Sequence, residues 1–310
     1  MRRSKTFVVI VIVSIALYCG ILLWRGVREA APFRHQDRIN ILLYGVEPII
    51  ISLGLTDHVN YLMRFDNSIK TYAPGGYGIY GIGGLGKLSS LEHDPDLLRR
   101  TFSLMTSTDI DYYLLPKDSK VYQDSDFTKG FSPTKSAILS AMFSSKIISN
   151  IRFLDKMYLV SVIGRQRKID YIALKTGFID NINKTSEFAS DEFFKEYQGF
   201  FYNKSLRDID TTIQIQYSSS FLSAKHIGRV LDGEGIRVAD IDIAQKPVSK
   251  CLIRYKNSND RLIHLVTEDA VRKLLQLHCI TEYGLVHGRA PSDSFDMVIV
   301  LSPQLEELWH

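Results

Sequence analysis

Cysteine is scarce in this chain: three residues in 310, Cys19, Cys251 and Cys279, and no pair in C-x-x-C spacing. That excludes a disulfide-dense scaffold and a thiolate zinc site or redox dithiol. Charge of one sign is also in short supply. Lys and Arg number 38 against 34 Asp and Glu, a net of +4, with no long basic run to follow a phosphate backbone, so nucleic acid is not a partner. The eight histidines are scattered without H-x-x-x-H or H-E-x-x-H spacing, which removes the common zinc-hydrolase signatures. Low-complexity tracts and internal repeats are missing. With 45% hydrophobic and 23% charged residues, what remains is an ordinary globular composition, long enough for about two domains.

One long apolar run is present. Thr6 to Trp24 is nineteen residues without a charge, which as a helix spans about 28 Å of hydrocarbon. It ends in Leu22, Leu23 and Trp24, with no small-residue cleavage site, so it reads as an uncleaved single-pass anchor. Basic residues flank it on both sides and do not decide orientation. A five-residue head stays inside more easily than a long domain, which translocates largely regardless of charge. The expected plan is a cytoplasmic head (1–5), a transmembrane helix (6–24), a linker (25–38) and an extracytoplasmic bulk at the plasma membrane.

Beyond residue 39 the pattern alternates. INILLYGV (39–46) suits a buried strand, Asn60–Asp66 and Ile69–Ala73 read as two more, and Asp66-Asn67-Ser68 is a turn signal. Helical spacing is expected over Asp94–Met105, 134–147 and 153–163, with a strand DYYLLP (111–116) between the first two. After a polar stretch from Asp180, TTIQIQY, a helix over 221–232, strands at 236–243, 251–255 and 296–301 and a helix at 268–277 make a second, smaller sheet covered by helices on one face. The fold class is α/β: a transmembrane helix, an α/β/α sandwich over 39–180, a connector over 181–210 and a small mixed-sheet domain over 211–306.

GIGGLG (81–86) matches G-x-G-x-x-G, but the candidate strand ends at Ala73, well upstream of it. A dinucleotide fingerprint turns directly off its strand, so a tightly turned loop with close backbone approach is the better reading. Arg165-Gln166-Arg167-Lys168 is a small basic cluster able to meet phosphate or to lie solvated at a helix end.

INILLYGVE (39–47), LTDHVNYLMRFD (55–66), an extended segment reaching Pro74, and IDYYLLP (110–116) resemble, in order and spacing, the LytR-CpsA-Psr family of envelope proteins. The family's pieces run N-I-L-L-L-G-x-D, R-S-D-T with a hydrophobic strand ending in Asp, S-I-P-R-D-T, and G-I-x-I-D-Y-Y. TTIQIQYSSSFLSAKHIGRVLDGEGIRVADI and DMVIVLS (296–302) similarly resemble the LytR C-terminal domain. The resemblance implies handling of a polyprenyl-pyrophosphate-linked glycopolymer or cell-wall polymer, with Mg2+ and arginines neutralising the pyrophosphate. It places Asp57 and Asp66 at the metal-associated positions and leaves Arg64, Arg165 and Arg167 as phosphate-binding substitutes. The chain departs from the pattern at Leu55, which stands for an arginine, at His58, which stands for a threonine, and at Pro74-Gly75-Gly76-Tyr77, which stands for P-R-D-T. A phosphate clamp needs fixed cations. The expected function is therefore a membrane-anchored envelope protein that binds lipid-linked or wall glycan with weak or lost catalysis. An active Mg2+-dependent phosphotransferase and a non-catalytic interaction scaffold are the alternatives.

Overall fold

Arg38–Leu43 has no exposed side chain on either face, the signature of a central strand covered on both sides. The computed structural model describes residues 18, 37–45, 47–117, 134–165, 170–180, 186–255, 258–275, 279–283 and 295–310. In chain order β1 (Arg38–Leu43), β2 (Ile49–Gly54), β3 (Asn60–Arg64), β4 (Lys70–Ala73) and β5 (Gly78–Gly81) lead into α1 (Leu85–Leu91) and α2 (Asp96–Thr106). Then come β6 (Tyr112–Pro116), α3 (Lys135–Phe143), β7 (Ile147–Ser149), α4 (Phe153–Arg165), β8 (Tyr171–Leu174), β9 (Ile179–Asp180), β10 (Glu187–Phe188), α5 (Ser190–Tyr197) and α6 (Lys204–Ile209). The remainder is β11 (Thr212–Tyr217), α7 (Phe221–Gly233), β12 (Arg237–Ile243), β13 (Leu252–Tyr255), α8 (Ser258–Ile263), α9 (Leu265–Leu275), β14 (Ile280–Tyr283), β15 (Met297–Val300) and α10 (Pro303–Trp309).

The main sheet runs β7-β6-β1-β2-β3-β8. Alternation along β1 and β2 sends Leu42 and Ile50 to one face, where they meet Leu97, Leu98 and Phe102 of α2 and Phe193 of α5. Ile39, Ile41, Ile49 and Ile51 go to the other face, against Ile138 and Met142 of α3 and Leu159 and Ile163 of α4. A smaller sheet, β5-β4-β10-β9, adds Phe188 to the first of these cores. Its strand β10, together with α5, packs residues from the expected connector against the first unit. The mixed sheet β12-β11-β15-β13-β14 forms the second unit, and its helices α7, α9 and α10 share one core with Ile213, Ile215, Ile253 and Ile299 on one face.

The described residues are thus mixed α/β with three sheets. The expected membrane span lies outside the described residues except Tyr18, and among the described residues no helix is long and apolar enough to cross a membrane. Ile49–Gly54 is a strand that the sequence pattern did not separate from its neighbour, because the apolar run is broken only at Gly45-Val46-Glu47-Pro48. GIGGLG is the end of β5, a 3-10 turn and the start of α1. Its last glycine has a packing role: a Cβ on Gly86 would lie 2.4 Å from the Tyr44 ring, and the Gly86 N–H donates to the Tyr44 hydroxyl at 2.8 Å.

The two units meet through charge. Asp109 accepts from Arg99 at 2.7 Å and from Lys273 of α9 at 3.0 Å, and Lys273 also pairs with Asp111. Glu234, just past α7, accepts from the Thr108 hydroxyl at 2.6 Å and the Asp109 N–H at 2.8 Å. At Gly233 a Cβ would sit 1.4 Å from the Ser107 carbonyl oxygen, so the end of α7 is pressed directly on the end of α2.

Candidate functional site

At the end of the main sheet where β1 begins, the turn between β2 and β3 presents Asp57. Its Oδ1 accepts the Val59 N–H at 3.0 Å and its Oδ2 receives Arg38 at 2.8 Å. The Arg38 side chain is only 6% exposed and that of Asp57 49%. Arg38 also donates to the Ser52 hydroxyl at 3.2 Å and the Val59 carbonyl at 3.0 Å, and its guanidinium lies 4.7 Å from the centre of the Tyr61 ring. Tyr61 contacts Phe200 at 5.2 Å and Phe201 at 5.9 Å between ring centres. The outcome is a half-exposed carboxylate, fixed by a buried arginine, beside an aromatic group whose Phe200 is partly exposed. Gly54 makes room for it, since a Cβ there would lie 1.9 Å from Asp57 Oδ1.

Asp66 lies past the other end of β3. Its Oδ1 accepts the Ser68 N–H at 2.8 Å and the Ser68 hydroxyl at 2.7 Å, bonds that hold its carboxyl below the usual carboxylate range. The five residues of β3 cover about 13 Å at the rise of an extended chain, so Asp57 and Asp66 are not brought together. At the Asp66 end, Arg64 sits 3.7 Å from Glu47, and its carbonyl accepts from the Thr176 hydroxyl. Glu47 occupies the place of the acidic residue closing N-I-L-L-L-G-x-D. Arg165 ends α4 and is exposed, and Arg167 lies outside the described residues.

Magnesium prefers hard oxygen ligands and usually takes one or two protein carboxylates plus substrate phosphates. Both oxygens of Asp57 are committed, one to an arginine, and Asp66 is at the far end of the strand. Among the described residues no group of three His, Cys, Asp or Glu side chains is placed to hold a metal ion. The residues present do not fit a shared magnesium site.

The turn Pro74–Tyr77 carries no side-chain cation. Gly75 and Gly76 have φ of 95° and 80°, a region that glycine enters freely. Their N–H groups donate to His310 O at 2.7 and 3.0 Å. Nearby, His226 Nδ1 donates to the Trp309 carbonyl at 2.9 Å, and burial holds that imidazole below its ordinary pKa.

Arg38 is the residue that sequence reading missed. Its signal was faint: one polar residue at the head of an apolar strand, with a partner nineteen positions away. Cys251 and Cys279 form a disulfide, with Cα atoms 4.6 Å apart, immediately before the paired parallel strands β13 and β14.

No family model and no curated protein matches the chain. Among solved structures it is similar in part of its fold to LytR-CpsA-Psr proteins. "TagT bound to LI-WTA" is 11% identical, covering 52% of this chain and 88% of that one, with a TM-score of 0.36. The LytR-CPS2A-psr family protein YwtF (TagT) with bound octaprenyl pyrophosphate lipid is 14% identical over 52% and 89%, at 0.34. TagV of B. subtilis is 12% identical over 53% and 96%, at 0.35.

Proposed function

We propose that this chain is a membrane-anchored, extracytoplasmic envelope protein of the LytR-CpsA-Psr type that binds a polyprenyl-linked or wall glycan and has weak or no transfer activity. The observation that carries the reading is the Arg38–Asp57 pair beside Tyr61 and Phe200, of which Asp57 and Tyr61 lie in a segment that resembles the family. Sugar rings stack their C–H faces on aromatic side chains and their hydroxyls donate to a carboxylate, so the half-exposed Asp57 beside Tyr61 and Phe200 suits a saccharide. It does not suit pyrophosphate transfer. Two phosphates in a closed site need converging cations, whereas Arg38 is spent on Asp57, Ser52 and Val59, and Arg64 is drawn to Glu47 at the opposite end of the sheet.

The Cys251–Cys279 disulfide supports the placement outside the cytosol, where such bonds persist. The anchor reading rests on the uncharged run from Thr6 to Trp24.

The test is a transfer assay with full-length protein, a lipid-linked glycan donor, peptidoglycan acceptor and Mg2+, run beside Asp57→Ala. Glycan binding without transfer above background is the expected result. Clear Mg2+-dependent transfer that Asp57→Ala abolishes would overturn the non-catalytic reading.

A further inference from the structure

The α3–α4 face of the first unit carries bare apolar side chains with a basic surround. Phe153 is 71% exposed, Phe143 54% and Met157 50%, and Leu154 and Ile148 add further exposed apolar surface. All five fall within fifteen consecutive residues. Helices α3 and α4 pack together, and Lys156 lies 5.6 Å from the centre of the Phe143 ring, so these side chains belong to one surface. Clustered exposed aromatic and aliphatic residues mark an interaction site, whereas single ones need no explanation.

Charge decides the partner. Residues 134–165 contain Lys135, Lys146, Arg152, Lys156 and Arg165 and one acid, Asp155. Asp155 is buried at 1% exposure, so every charge that this segment offers to solvent is positive. Phenylalanine, leucine and methionine ringed by lysine and arginine fit the headgroup–acyl boundary of an anionic bilayer, where apolar groups enter and basic groups meet phosphate. An anionic wall polymer would satisfy the lysines and leave the phenylalanines in water.

The chain path agrees. Arg38 pairs in register with Gly54, whose N–H donates to the Asn60 side chain at 3.2 Å, and Asn60 Nδ2 in turn donates to the Asp170 carbonyl at 3.4 Å. Asp170 lies five residues past Arg165, so the chain enters the sheet at the end toward which α4 runs. Residues 25–37 separate Trp24 from Arg38, a length that reaches at most about 45 Å.

We propose that the α3–α4 face lies on the surface of an anionic bilayer, seating the domain against the membrane to which residues 6–24 tether it. The inference rests on the membrane reading of that run and is independent of glycan binding, since no step of its test involves a sugar.

The test uses full-length protein reconstituted in vesicles of phosphatidylglycerol and phosphatidylcholine with brominated acyl chains, comparing Phe153→Trp with Leu91→Trp and the parent. Leu91 is as exposed as Phe153 but ends α1, on the opposite side of the sheet. Emission added by Phe153→Trp is expected to fall about twofold relative to unbrominated vesicles, as for a side chain at the acyl boundary, and emission added by Leu91→Trp to stay unchanged. Adding Lys146→Glu and Lys156→Glu to Phe153→Trp should remove the quenching. Equal quenching of the two tryptophans would overturn the proposal, as would lipid-independent shielding of Phe153→Trp by polyglycerol phosphate. Undiminished quenching in pure phosphatidylcholine would overturn the assignment to an anionic surface.

Discussion

Arg38 and Asp57 close on each other at 2.8 Å across the mouth of the main sheet, with the arginine buried and the carboxylate half in solvent. The pair converts an aspartate that would otherwise be a free ligand into one side of a fixed, nearly neutral surface. Asp57→Asn leaves Arg38 without its counter-charge while keeping an oxygen for the Val59 N–H. It should cost about 1 kcal/mol in stability, a modest figure because Asp57 is half exposed, and it should weaken glycan binding. Urea denaturation and a glycan titration on the same preparation check both effects.

Glu234 makes the junction between the two units pH-dependent. Burial, and then the nearby Asp109 charge, push its carboxyl from 4.5 up to about 7, against the opposing effect of Lys273. Between pH 4.5 and about 7 the unfolded chain releases a proton that the folded chain keeps, so stability falls as pH rises through that window and levels off above it. Glu234→Gln keeps an acceptor for Asp109 and Thr108 and removes the titration. Thermal denaturation across this range should show a slope in the parent that the variant lacks, with the variant the more stable protein at pH 8.

Gly233→Ala tests the docking of the units. Its new methyl would meet the Ser107 carbonyl oxygen at 1.4 Å, a backbone atom that can yield only if α7 moves off α2. A loss of about 3 kcal/mol is expected. Gly164→Ala, where a Cβ meets nothing, should be neutral or slightly stabilising, since alanine favours a helix.

Removing the Cys251–Cys279 bond by the double substitution to alanine frees a loop of 28 residues in the unfolded chain. The chain-entropy relation puts the loss at about 3–4 kcal/mol. Mass spectrometry of the full-length protein isolated from cells under alkylating conditions should find both thiols unavailable, and alkylated Cys251 and Cys279 would contradict an oxidising location.

Much of the framework was legible from periodicity. The helix at 221–232 and the β11 alternation of Ile213 and Ile215 were visible because each buries one regular face, and DYYLLP because Pro116 closes a short apolar run that is buried on both faces. Ile49–Gly54 was not, because only Gly45 to Pro48 separate it from the preceding apolar run. The short strands β9 and β10 owe their conformation to partners far away in sequence. Candidate residues were legible one at a time: Asp66 as a turn residue, from Asn67 and Ser68 behind it, and Asp57 from its place in a motif. Their separation was not, because it depends on which end of β3 each occupies. Arg38 and the Phe200 contact came only with the register of β1 against β2 and the return of the chain after α5.

The most direct test is a titration of the full-length protein in detergent with undecaprenyl-pyrophosphate-linked glycan, against the same lipid without sugar and against the double variant Tyr61→Ala, Phe200→Ala. Saturable binding that requires the sugar and weakens about tenfold in the variant, equivalent to about 1.4 kcal/mol, is the expected result. Equal binding of the sugar-free lipid, or a variant that binds like the parent, would contradict glycan recognition at the Arg38–Asp57 site.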